Sequence, residues 1–116
     1  MSNGGWIGVD LDGTLASYGE WKGPKHIGDP VPKMLDRVKL WIAQGKDVRI
    51  FTARVSGPRA DVLAVDETIE CIDNWCLMHI GHKLPITCTK DYGMVELWDD
   101  RAIQVKMNTG ERVDGK

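Results

Sequence analysis

The sequence has almost no excess of charge of either sign. Fifteen lysines and arginines against seventeen acids leave a net charge of −2, so no global field draws the chain to nucleic acid or to an anionic membrane. No apolar run approaches the ~20 residues needed to cross a bilayer, and no basic-then-apolar leader precedes Trp6. Cysteine is scarce: Cys71, Cys76 and Cys88 are an odd number without Cys-x-x-Cys spacing. That disfavours a disulfide framework and a zinc site, and reduced, half-buried packing residues are expected instead. Repeats, linkers and low-complexity stretches are also missing. Together these absences lead to the expectation of a cytoplasmic protein. What is present, 42% hydrophobic and 28% charged residues over 116 positions, is the composition of one small globular domain with a real core.

Against that background Asp10-Leu11-Asp12-Gly13-Thr14 is the most informative stretch. It follows the apolar run Trp6-Ile7-Gly8-Val9, which reads as a buried parallel strand entering a functional loop. Two carboxylates two residues apart project to one side of an extended chain and can share a cation. Gly13 permits a sharp turn that bares backbone N–H groups to an anion. Acids, turn and amides suit a divalent metal and a phosphate. The plainer alternative is an Asp-Gly turn with a solvated second acid.

Strands and helices alternate along the rest of the chain. The stretch 16–28 holds three glycines and Pro24 and reads as an irregular flap. Pro30-Val31-Pro32 starts a helix, with Leu35, Val38 and Ile42 recurring on one face beside Met34 and Trp41, and Gly45 stopping it. Val48-Arg49-Ile50-Phe51 is the second strand, followed by a loop containing Gly57-Pro58. A second helix lies within 60–80, with Ile69, Ile72, Trp75 and Cys76 as its apolar stripe. Leu84-Pro85-Ile86-Thr87 is a short third strand, confined by Pro85 to an edge or to a strand start. Val95-Glu96-Leu97-Trp98 is the fourth, and Ile103-Gln104-Val105 is a candidate fifth. This alternation implies an α/β fold, a mostly parallel sheet with helices on both faces. Ligands of open α/β sheets bind at the carboxyl ends of strands, so topology alone gathers Asp10, Thr52 and Asp99-Asp100 at one edge.

Val9-Asp10-Leu11-Asp12-Gly13-Thr14-Leu15 resembles the first motif of the haloacid dehalogenase-like phosphohydrolases. Ile50-Phe51-Thr52-Ala53-Arg54 resembles the second, Lys90 falls where the third-motif lysine belongs, and Glu96-Leu97-Trp98-Asp99-Asp100-Arg101 resembles the fourth. All four occur in order from Asp10 to Asp100. The resemblance implies a Rossmann-like core and a phosphomonoester hydrolase working through an aspartyl-phosphate, with Mg²⁺ as cofactor.

Phosphoryl transfer needs an in-line nucleophile, charge neutralisation and a proton for the leaving group. On the resemblance, Asp10 is the nucleophile and Asp12 the general acid and then base. Asp10 and Asp100 supply metal carboxylates, the backbone carbonyl of Asp12 completes the protein share, and Asp99 stands behind Asp100. Thr52, with the amides of Ala53 and Arg54 after it, binds phosphoryl oxygen, and Lys90 offsets charge. Simpler roles compete at several positions. Thr52 is also an ordinary cap, Asp99 and Asp100 suit a helix N-cap, Lys83 competes with Lys90, and Arg54 and Arg101 suit salt bridges to the acids as well as substrate contacts.

Relatives in this family often insert a cap domain between the first and second motifs or between the second and third. Here those intervals span 40 residues (Asp12 to Thr52) and 38 residues (Thr52 to Lys90). A crossover with its helix takes about 30 residues, so each is nearly consumed by core structure and no cap domain is expected. A capless site stays open unless a large substrate or a second copy of the chain closes it. The flap residues Tyr18, Trp21, Lys22, Lys25 and His26 are able to stack a base and contact phosphate, although a solvated loop with one packed tryptophan is the simpler account. A nucleotide or other phosphorylated small molecule is the expected substrate. A nucleic-acid end carrying a 3′-phosphate is the alternative, and a non-catalytic phosphate- or partner-binding module on the same fold is the competing class.

Overall fold

The computed structural model of the protein describes residues 4–56 and 62–115; the loop expected at Gly57-Pro58 lies outside them. The elements in order are β1 (Trp6–Asp10), α1 (Pro32–Ala43), β2 (Asp47–Phe51), a 3-10 turn (Ala53–Val55), α2 (Val62–His79), β3 (Ile86–Thr87) and β4 (Met94–Trp98). The strands form one sheet in the order β3-β2-β1-β4, and every pairing is parallel. The α/β architecture without a cap is therefore as the sequence indicates.

Local chemistry accounts for the boundaries. Val31 is the extended residue ahead of α1, and Pro32 occupies the first turn, where a missing N–H costs nothing. Pro85 sits immediately before β3, and β3 is an edge strand, the position to which proline confines it. The candidate fifth strand does not form. Val105 instead bridges Arg112 antiparallel in a small hairpin, closed by Lys106 N–H to Glu111 O at 2.7 Å and Val113 N–H to Gln104 O at 2.9 Å. Asn108 in its turn takes a positive φ of 67°, a conformation asparagine tolerates better than most residues.

Register separates the two faces of the sheet. Ile7 lies beside Val48 and Val9 beside Ile50, and these four join Met34 and Val38 of α1, Ile72, Trp75 and Cys76 of α2, and Ile80 just after it in a single buried cluster. Both helices thus serve one face, where helices on both faces were expected. The physical reason is topological. β1 to β2 and β2 to β3 step in the same direction, so right-handed crossovers put both helices on the same side, and the short 88–93 connection from β3 to β4 carries no helix. The other face is covered by side chains of the sheet itself. Gly8 opens a gap there, since a Cβ would lie 3.1 Å from Met94 Cε and 3.2 Å from the Trp6 ring. Trp6 fills that gap, buried under the Arg49 guanidinium 4.7 Å from its ring and donating Nε1–H to Asp91 at 2.8 Å. Val95 and Leu97 of β4 stay exposed on this side.

The three cysteines are free. Cys76 is buried, and burial pushes its thiol up to about 12, so it is inert packing. Cys71 is half-buried as expected, whereas Cys88 is exposed because it follows the edge strand β3. Among the described residues no helix is long and apolar enough to cross a membrane.

Candidate metal and phosphate site

Because all strands run the same way, their carboxyl ends meet. β1 ends at Asp10, β2 at Phe51 just before Thr52, and β4 at Trp98 just before Asp99 and Asp100. Asp10, Asp99 and Asp100 each place a carboxylate oxygen within 4.8 Å of the other two. Three like charges so close oppose ionisation. Burial first, then the Asp99 charge, then an Asp100 hydrogen bond and the Asp100 charge push the Asp10 carboxyl up to about 7, while a Thr14 hydrogen bond pulls the other way. The Thr14 hydroxyl lies 3.3 Å from both Asp10 Oδ2 and Asp100 Oδ1, and its oxygen accepts the Asp100 N–H at 3.1 Å. Its single proton serves one carboxylate at a time.

Gly13 is required here on two counts. Its φ is +93°, and a Cβ would stand 2.8 Å from Asp100 Oδ2, so any side chain would displace an acid of the cluster. Asp99 Oδ1 accepts the Arg101 N–H at 2.8 Å and so also shapes the turn, whereas Asp100 is exposed. The donors are all hard oxygens, and a divalent cation among them would offset the carboxylate repulsion that adds to burial in raising Asp10. The residues therefore fit a hard cation.

Asp12 is not part of that cluster. Its carboxylate forms a two-point pair with Arg54, Nε to Oδ2 at 2.7 Å and Nη2 to Oδ1 at 2.8 Å. The Arg54 side chain is only 5% exposed. It also donates from Nη1 to Pro24 O at 3.1 Å and from Nη2 to His26 O at 2.8 Å, and it stacks 4.9 Å from the Trp21 ring centroid. Of the two roles open to Arg54 in the sequence, salt-bridging an acid is the one observed. Two sites tie down the flap as a result. Its base is held by Ser17 N–H to Asp29 O at 2.8 Å, Val31 N–H to Leu15 O at 2.7 Å and Trp75 Nε1–H to Gly28 O at 2.9 Å, and its tip by Arg54.

Thr52 is buried, and its hydroxyl oxygen accepts the Arg54 N–H at 3.2 Å, the cap role, while its proton is given to no acceptor among the described residues. Thr52, Ala53 and Arg101 line a cavity of about 400 Å³ together with Asp10, Asp12 and Asp100. A second cavity of about 220 Å³ runs beneath the flap past Lys22 and His26. Trp21 and Arg54 border both cavities. Lys83 precedes β3 and Lys90 follows it. By Asp91, which accepts the Trp6 Nε1–H, the chain has returned to the amino end of β1, and Lys90 is exposed and makes no ion pair with the acids among the described residues. Thr14 was not singled out in the sequence, although its place after Asp-Gly was a signal. The Pro24 and His26 carbonyls were not singled out either, and no local pattern marks a main-chain acceptor for an arginine about 30 residues away.

No family model matches the chain, and no curated protein does. A solved structure of a conserved protein coded by a locus from Bacteroides thetaiotaomicron is similar: 23% identity, a TM-score of 0.55, and coverage of 86% of this chain and 78% of that one. At that identity the likeness is one of fold: a parallel α/β sheet, here with an acidic triad at its carboxyl edge.

Proposed function

We propose that the chain is a Mg²⁺-dependent phosphomonoester hydrolase of the haloacid dehalogenase-like type, acting through an aspartyl-phosphate on Asp10. The observation that carries this reading is the gathering of Asp10, Asp99 and Asp100 at one sheet edge, in a cavity shared with Thr52 and a fourth acid, Asp12. Asp10, Asp100 and the carbonyl of Asp12 would hold the cation, with Asp99 behind them. When bound, it neutralises charge between carboxylate and phosphate.

An Asp10 oxygen attacks phosphorus as the bond to the ester oxygen breaks, and Asp12 gives its proton to the departing alkoxide. Asp12 then takes a proton from water, which attacks the phospho-aspartate, releases phosphate and restores Asp10. Both Asp12 oxygens accept from Arg54 in the resting arrangement, and each keeps a second lone pair for the proton it handles. The Thr52 hydroxyl donates to a phosphoryl oxygen, and Lys90 contributes positive charge. Trp21 and Lys22 border the entry and suit a nucleotide or another phosphorylated small molecule, with a nucleic-acid end as the larger variant. A second copy of the chain is one means of closing the open cavity.

Phosphate release from a panel of nucleotides and a small aryl phosphate, with Mg²⁺ and with chelator, tests the reading. Mg²⁺-dependent release that vanishes in Asp10→Asn supports it. No release from any substrate overturns it, and Mg²⁺ binding that persists without turnover would then favour a binding module.

A further inference from the structure

On the far side of the acids from the flap, a groove of about 290 Å³ runs from Gly13, Thr14 and Asp100 to Lys33, Arg37 and Trp98. Lys33 and Arg37 lie one turn apart on α1 and face the same groove. Two cations bordering acids ordinarily collapse onto them. Here neither forms an ion pair or a hydrogen bond among the described residues, whereas Arg49, Arg54 and Arg112 are each paired with an aspartate. The reason for Arg37 is visible. Its guanidinium stacks 5.1 Å from the Trp98 ring centroid, and Trp98 is itself fixed by Trp41 at 5.2 Å and by its Nε1–H to Glu96 Oε1 at 3.1 Å. The contact holds the guanidinium over the ring and leaves its N–H groups without a partner among the described residues, an arrangement that suits an arginine to phosphate.

We propose that this groove is a second anion subsite, which takes a further phosphate of a substrate whose terminal phosphate lies at the acidic cluster. The inference rests on the hydrolase reading for where the terminal phosphate sits. The substrate class becomes a molecule with two phosphate groups: a nucleoside bisphosphate or an oligonucleotide with a terminal phosphate. Arg37 is the fixed contact and exposed Lys33 the adaptable one. The near-neutral chain thus carries its attraction for a polyanion locally, beside the site.

Calorimetric titration with Mg²⁺ present tests it on the parent, on Lys33→Ala/Arg37→Ala and on Lys33→Glu, an exposed substitution that spares the Trp98 stack. The probes are thymidine 3′,5′-bisphosphate, the 3′- and 5′-monophosphates, and a terminally phosphorylated oligothymidylate. The parent should bind the bisphosphate or the oligonucleotide roughly tenfold or more tighter than either monophosphate, and both variants should lose that preference. Preference for the bisphosphate identifies a small-molecule source, and preference for the oligonucleotide identifies a backbone phosphate. Equal binding of all probes by the parent, or a preference retained in both variants, overturns the subsite. Probes that bind with the expected preference but release no phosphate would sink the hydrolase reading and leave the subsite standing.

Discussion

Replacing Asp10 by Asn should stabilise the metal-free fold at alkaline pH while abolishing turnover. An unfolded aspartate titrates near about 3.9, whereas folded Asp10 is pushed up to about 7. Below the lower value both states hold the proton, and Asp10 makes no difference to stability. Between the two values the native state keeps a proton that the unfolded chain has lost, so stability falls as pH rises. Above about 7 the native carboxylate ionises against Asp99 and Asp100, and the whole penalty is present. A separation of that size corresponds to about 4 kcal/mol at ~1.4 kcal/mol per tenfold. Asp10 is only half-buried, so water screens it and about 1–2 kcal/mol is the expected effect. In a domain of this length that is roughly 3–10 °C in Tm. Urea and thermal unfolding in chelator, near pH 4.5 and 8.5, would measure it on parent and variant. The variant's excess over the parent should be small at the acid end, where about a quarter of the penalty is present, and largest at the alkaline end. Added Mg²⁺ should close the gap by stabilising the parent more. A variant that is less stable at alkaline pH, or a difference independent of pH, would refute the electrostatic account of the cluster.

Arg54→Ala should free the flap tip and leave the Asp12 carboxylate without its partner, costing about 1–3 kcal/mol. Trypsin should then cut faster at Lys22 and Lys25, and an unchanged cleavage rate would mean that the flap base alone holds it. Asp100→Ala should weaken Mg²⁺ binding more than Asp99→Ala, for which about 10–100-fold is the usual cost of disturbing a ligand's support; Mg²⁺ titration of both variants decides, and the reverse order would exchange their roles. Trp21→Ala should reduce kcat/KM on nucleotide esters about 5–150-fold more than on a small aryl phosphate, the worth of one base–aromatic stack. Equal losses on both would make Trp21 simply the cover over Arg54.

The parts of the site legible in the sequence are those fixed by strand ends. Asp10, Thr52 and the Asp99-Asp100 pair could be placed together from topology alone, because parallel strands deliver their last residues to one edge. Pro85 confined its strand to an edge or a strand start, and the stripe Leu35, Val38 and Ile42 with Met34 beside it marked the core side of α1, although there only Met34 and Val38 are fully buried. Less legible was which face each helix covers, since that depends on the order of strands in the sheet and not on their order in the chain. The strand pattern at 103–105 was misleading, because apolar residues also alternate in the exposed hairpin that closes on Val105 and Arg112. Arg54 had two chemically equal roles in the sequence, and only the position of Asp12 in space chose between them.

The flap is anchored at Pro24, His26 and Gly28 through carbonyl oxygens, which every amino acid possesses. Its attachment is therefore independent of most of its side chains. Tyr18, Glu20, Lys22 and Lys25 can be exchanged without removing a single anchoring bond, provided the backbone path from Gly23 to Gly28 is kept. On the proposed hydrolase reading, the loop would serve as a replaceable reading head on a fixed mount. Libraries varied at those four positions should retain the fold and the acidic cluster while redistributing which phosphate esters are accepted.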